Sequence, residues 1–268
     1  MATLKGPILF VGSIGNLRVY YDSALNKYIV ATKGGSTKDQ ILNNPNFVRQ
    51  RENINEFKVC SKLASQLVKS LSGIDHLHYG YYFPKIVAMG KSIIKHDDDH
   101  VRGIRSLEAS KTPWLLTTLN FNKKHPFEEV LTQQPEISLS EDKKSVIMKL
   151  LGFNSFHRIN WTEGYASYRI TLAIAQLPDY AWNELHNCYE PVIPNAKKLS
   201  VTSYSQWLSG STKPEDIILE ASFAQPALQY PGLTVVVGIG IEFSATHVEP
   251  FVKDTWGTGT MKIVECFV

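Results

Sequence analysis

The chain has 268 residues, 43% of them hydrophobic and 20% charged, which excludes a disordered protein and leaves room for one large domain or two modest ones. The overall charge of +3 hides a split: residues 1–95 hold 13 Lys/Arg against 5 Asp/Glu (+8), and residues 96–268 hold 15 against 20 (−5). No stretch approaches the ~18 apolar residues of a membrane span, and the apolar run Ile8–Val11 is too short for a signal-peptide core. The expected location is cytoplasmic, or outside the cell by lysis or a non-classical route.

The first predicted element is a β-hairpin. Asn16-Leu17-Arg18-Val19-Tyr20-Tyr21 and Lys27-Tyr28-Ile29-Val30-Ala31-Thr32 are β-prone runs joined by a polar link through Asp22, Ser23 and Asn26. Leu17, Val19 and Tyr21 fall on one face, Arg18 and Tyr20 on the other. A lone hairpin is marginal in water, so this one needs packing partners. Gly34-Gly35 ends it, a polar loop follows, and Asn44-Pro45 then opens a helix with an N-cap residue and a proline at the first helical position. The helix is expected to reach Ser72, before Gly73. At 100° per residue, Arg51, Lys58, Lys62 and Lys69 fall within roughly 20° of one line. Ile54, Phe57, Cys60, Ala64, Leu67, Val68 and Leu71 fill the opposite side, where Asn53 and Glu56 intrude.

Residues 74–82 form an aromatic connector, and Pro84 to His96 predicts a second helix, broken at Asp97-Asp98-Asp99. From about residue 112 the period changes to two. Strands are expected at 114–121, 145–151, 165–175, 199–204, 216–223, 232–243 and 259–268. Tyr168–Ile174 alternates as a strand with one buried face should. Leu233–Ile241 is apolar on both faces and so central, and its Gly238 and Gly240 share a face that another strand, an aromatic ring or a subunit can approach. The fold class is therefore α+β, mainly β. A basic hairpin-plus-helices region (1–108) precedes an all-β domain (109–268) of sandwich or jelly-roll-like type.

Several segments resemble an uncharacterised family of Bacteroidetes proteins. They are Gly12-Ser13-Ile14-Gly15-Asn16-Leu17, Asn44–Asn53 with Glu56-Phe57, Arg102-Gly103-Ile104-Arg105, Leu119-Asn120-Phe121-Asn122 and Gly238–Phe243. Arg51-Glu52-Asn53 with Glu56-Phe57 at helical spacing is the most distinctive. The resemblance implies shared architecture across most of the chain and no particular activity.

Catalytic and metal signatures are weak throughout. His96-Asp-Asp-Asp-His100 places two imidazoles four apart, a metal-ligand spacing on a helix, but three consecutive Asp favour a solvated loop or helix terminus and no glutamate lies between the histidines. His76-x-His78 reads equally as an aromatic packing patch. His186 and Cys188 could be base and nucleophile, but no orienting residue or oxyanion loop accompanies them. Glu163, Asp179, Glu190 and Glu220 could be paired carboxylates, whose separation a sequence does not give. The Gly-rich segments at 12–15, 34–35 and 257–259 lack the helix or Lys-Ser/Thr of a phosphate loop. Three scattered cysteines, Cys60, Cys188 and Cys266, fit neither a disulfide framework nor a zinc spacing and read as buried thiols.

No cofactor is expected. The line Arg51, Lys58, Lys62, Lys69 either stays in water, docks on an acidic face of the next subunit, or tracks a nucleic-acid backbone. With Tyr20, Tyr21 and Tyr28 it makes up the candidate assembly or polyanion-binding surface. The expected function is a non-enzymatic structural protein that assembles with itself into a filament, tube or shell. The alternatives are a β-sandwich module binding carbohydrate or a cell-surface ligand through Trp161, Trp182, Trp207 and Trp256, and a nucleic-acid-associated protein using the basic helix.

Overall fold

A computed structural model describes residues 2–6, 9–193, 199–210, 213–227, 230–245 and 258–268. The chain is α+β, mainly β, and divides into two compact units, Met1–Arg51 and Glu52–Val268.

In the first unit, β1 (Ala2–Thr3), β2 (Gly12–Ile14), β3 (Leu17–Asp22) and β4 (Lys27–Thr32) make an antiparallel sheet in the order β1-β4-β3-β2. The expected hairpin is β3–β4, in the register Val19↔Val30, Tyr20↔Ile29 and Tyr21↔Tyr28. Asp22 fixes its turn by accepting from the amides of Ala24 and Leu25, both at 3.0 Å, and Asn26 supplies a left-handed residue at φ 52°. The sequence pattern leaves residues 36–43 as a polar loop, whereas the structure places helix α1 at Lys38–Asn43. Its cap is a reciprocal pair: Thr37 Oγ1 accepts from the Gln40 amide (3.2 Å) and Gln40 Oε1 accepts from the Thr37 amide (2.9 Å).

Asn44 caps a single 3-10 turn at Pro45–Phe47 through the Asn46 amide (2.9 Å), and α2 follows as Val48–Ser70. Helix α3 spans Phe83–Ile94. The segment 114–121 is not a strand: α4 (Pro113–Thr117) starts there with proline in its first turn, buries Leu116 and leaves Trp114 exposed. A short apolar run carries no period that separates helix from strand, and Pro113 decides it here. A short helix α5 (Phe127–Val130) leads into β5 (Glu136–Leu139) and β6 (Ser145–Phe153). After α6 (Ser155–Arg158) come β7 (Ser167–Pro178), the hairpin β8 (Tyr180–Asn183) with β9 (Cys188–Pro191), β10 (Ser200–Tyr204) and β11 (Leu208–Ser209). The last strands are β12 (Glu215–Ser222), β13 (Leu233–Ser244) and β14 (Gly259–Phe267).

The second unit is layered. Its central sheet runs β10-β7-β13-β14, with β11 also paired to β7, and a second sheet runs β12-β6-β5. Alternation along β13 divides the core: Val235, Val237, Ile239 and Ile241 pack with Val146, Met148, Leu150 and Phe153 between the two sheets. On the other face Val236, Ala173, Met261 and Ile263 pack with Val59, Leu63, Leu67, Ile86 and Ile93 of the helices. Helix and sheet residues from both sides of position 108 thus share one core, and no change of packing marks that position.

The face of Gly238 and Gly240 is filled by aliphatic side chains of the same chain, Leu71, Ile74 and Leu77. A Cβ on Gly238 would lie 2.8 Å from Ile74 Cδ1, and one on Gly240 would lie 2.6 Å from Leu77 Cδ1. The bare face lets the chain just after α2 settle directly on the sheet.

Candidate functional site

Two of the segments that carry the resemblance, at Glu52–Phe57 and Arg102–Arg105, meet around one buried carboxylate. Glu56 is 2% exposed. Its Oε1 accepts from the Gly103 amide at 3.0 Å and from Arg105 Nε at 2.9 Å, and Lys91 Nζ donates to Oε2 at 3.3 Å. One turn earlier, Arg102 Nη2 donates to Asn53 Oδ1 (2.6 Å) and its Nε stands 3.8 Å from Glu52. Gly103 sits at φ 96°, and a Cβ there would lie 2.8 Å from Glu52 Cγ, so glycine is required twice over. Burial pushes the Glu56 pKa up, but the Gly103 amide, Arg105 and Lys91 outweigh it and hold the carboxyl below its ordinary range.

This arrangement reverses part of the expected helix face. Glu56 points inward, while Ile54 and Phe57, expected to be buried, are exposed. The carboxylate can be buried because three donors are ready for it, and the helix rolls to bring it there.

Asp97 organises the other end of the same loop. Its Oδ1 accepts from the Asp99 amide (2.9 Å) and its Oδ2 from the Ser106 amide (2.5 Å) and His100 Nδ1 (2.8 Å). Burial raises its pKa, and these hydrogen bonds bring it below the usual value. His96 takes a different partner, with Nδ1 2.9 Å from Ser92 O and its ring against Trp114. The two histidines lie beyond the end of α3, each with its own partner, and no group of three metal-ligating side chains occurs among the described residues.

The expected basic line is broken into engaged and exposed members. Arg51 donates to the carbonyls of Ile41 (2.7 Å) and Asn44 (3.0 Å), closing the end of α1. Lys58, Lys62 and Lys69 are all exposed, and Lys62 Nζ donates to the Tyr189 carbonyl (2.7 Å). The hairpin tyrosines divide between faces as the alternation predicts. Tyr21 and Tyr28 pack edge to face at 5.1 Å, and the Arg18 guanidinium lies over the Tyr20 ring at 5.6 Å. Within the first unit, Val19 and Ile29 are the buried residues among those described, one on each face of the sheet. Leu9, Val11, Ile14, Leu17, Tyr21, Leu25, Leu42 and Val48 are exposed.

The other constellations resolve into local pairs. His76 Nε2 lies 2.9 Å from Glu242, which also takes Arg169, and the Arg169 guanidinium lies over the rings of Tyr204 (4.7 Å) and Trp207 (4.9 Å). Glu190 accepts from Asn183 Nδ2 (2.7 Å) and pairs with His186, while Cys188 Sγ faces Glu190 at 3.9 Å. Burial pushes the Cys60 thiol up to about 12, which keeps it protonated. Glu163 pairs with Lys124, Glu220 accepts from Ser222, and Asp179 accepts from Ser110, so these carboxylates belong to separate local sets. Trp161 stacks on Phe243 at 4.4 Å, Trp182 meets Tyr189 edge-on, and Trp207 covers Arg169. These three indoles are already faced, and Trp256 lies outside the described residues.

Glu56 is visible in the sequence as a polar intruder on an apolar arc, but its partners, some way along the chain, carry no such signal. The His76–Glu242–Arg169 group joins three separated segments and has none. Comparison with known proteins finds no matching family model, no matching curated protein and no matching solved structure.

Proposed function

We propose that this is a non-enzymatic structural protein that assembles with copies of itself through its N-terminal unit. The observation that carries the reading is the poverty of that unit's own core. Val19 and Ile29 are buried, while eight large apolar side chains face water. At about 25 cal/mol per Å² of buried apolar area, two buried side chains do not offset the ordering of some fifty residues, which costs roughly 1–2 kcal/mol each. Burial of the exposed side chains by a second copy supplies the missing stabilisation. Charge favours the same partner: residues 1–51 carry seven Lys/Arg against two Asp/Glu (+5), and residues 52–268 carry 21 against 23 (−2).

The test is sedimentation with negative-stain microscopy on the full chain and on a Val11→Asp, Leu17→Asp double variant. Both positions are exposed, so the subunit fold should survive. Ordered polymers or closed rings are expected for the parent chain, and subunits for the variant. A monodisperse monomer up to high concentration would rule this function out.

A further inference from the structure

The loop between α2 and α3 displays aromatic rings in a manner the core does not require. Tyr82 is its anchor: the ring is buried, 4.0 Å from His78 and 5.8 Å from Phe121, and the hydroxyl donates to Asp75. Its neighbours turn the other way. Tyr79, Tyr81 and Phe83 are 53%, 91% and 39% exposed. The loop is held in place, since the Tyr79 amide donates to Phe121 O at 3.1 Å, Tyr79 bridges to Asn122, and Gly80 takes φ 80°. A fixed, solvent-facing ring keeps its apolar surface in water for no gain in the folded chain.

Lysines flank the two paired segments in the chain. Lys85 Nζ donates to Asn120 O at 3.2 Å, and Lys123 and Lys124 follow directly on the Tyr79–Asn122 bridge. Lys124 pairs with Glu163, but Lys85 and Lys123 have no carboxylate partner among the described residues. Burial, and then the ammonium of Lys123, push the Lys85 pKa down, so the two cations lie near each other. Exposed rings that accept the face of a base, and cations that neutralise a phosphate, are the two parts of a sequence-tolerant single-strand surface. We infer that Tyr79, Tyr81, Phe83, Lys85 and Lys123 bind single-stranded nucleic acid. A sugar polymer would use the rings but has no need of two lysines without a carboxylate partner.

The inference is independent of the assembly reading and is tested on the full chain by fluorescence anisotropy. The probes are a labelled oligothymidylate and an abasic deoxyribose-phosphate strand of equal length. The parent chain is expected to bind oligothymidylate more tightly than the abasic strand. Tyr81→Ala, at a position too exposed to unfold the protein, should weaken oligothymidylate binding about tenfold. Lys85→Gln with Lys123→Gln should lower the salt slope of log K by about 0.7 for each phosphate that is no longer neutralised. Four results would overturn the inference: no binding at low salt, equal affinity for the abasic strand, binding untouched by either variant, or loss of self-association in Tyr81→Ala, which would make the loop a protein contact.

Discussion

Glu56 and Arg105 form a side-on ion pair in which both Nε (2.9 Å) and Nη2 (2.8 Å) of the guanidinium reach the same carboxylate oxygen, Oε1. The second oxygen is left for Lys91, so one side chain of α2 holds both the start of the 103–106 segment and the last turns of α3.

Removing this carboxylate should therefore loosen three segments together. Glu56→Ala is expected to cost about 3–5 kcal/mol, because it strands Arg105 and the Gly103 amide. The folded-state pKa of Glu56 lies below its unfolded value, so the stability it adds is present above the ordinary carboxylate range and is lost as pH falls through the folded pKa. Chemical denaturation of Glu56→Gln across acidic pH should show a flatter decline than the parent. An identical decline would show that the contact is not coupled to folding.

Asp179 has the opposite sign. It is 3% exposed, and burial raises its pKa although Ser110 supplies an amide donor at 3.0 Å and a hydroxyl donor. An acid whose pKa rises on folding destabilises the native state progressively as pH climbs through that pKa. Asp179→Asn can keep both Ser110 contacts without the charge. Its melting temperature should exceed the parent's at neutral pH, with the difference shrinking towards acid. A loss of stability at neutral pH would count against the charge as the dominant cost.

The centre of the sheet should resist both shrinking and filling. Ile239→Ala leaves a cavity between the sheets and should cost roughly 2–5 kcal/mol. Gly240→Ala drives a methyl into Leu77 and Ile74 and should cost about 1–3 kcal/mol by overpacking. Denaturant midpoints would separate the two from surface controls such as Ile218→Ala, at a position 55% exposed.

If the +5 charge of residues 1–51 helps assembly, self-association should weaken as salt shortens the screening length towards ~3 Å at 1 M. Sedimentation over a salt series checks this. Association that strengthens with salt would assign the contact to the exposed apolar side chains alone.

Elements with a sustained period are legible in the sequence, and those set by a single local device are not. The helices α2 and α3, the β3–β4 hairpin and the six strands from β6 onward that carry long alternation or apolar runs lie where the pattern puts them. Thr37 and Gln40 form a capping box that a search for apolar periodicity passes over, and Thr112-Pro113 turns an apolar run into a helix. The Tyr180–Asn183 and Cys188–Pro191 hairpin escapes such a search because each arm is four residues long. On α2 the mean apolar direction holds only from Val59 onward. Before that, Glu56 wins the interior because paired charge in a prepared site outweighs the burial of Phe57. No pattern within one helix reveals donors held 47 residues away.

The pairing of β7 with β13 joins residues 167–178 to residues 233–244, and β14 adds Met261 and Ile263 to the floor beneath α2. During synthesis α2 is complete long before that floor exists, a delay on the order of ten to forty seconds at cellular elongation rates. Its apolar stripe of Val59, Leu63 and Leu67 stays bare over that interval, and the long loop closures make the later steps slow as well. A chain stopped before residue 259 would keep the helix and lack part of the surface it rests on.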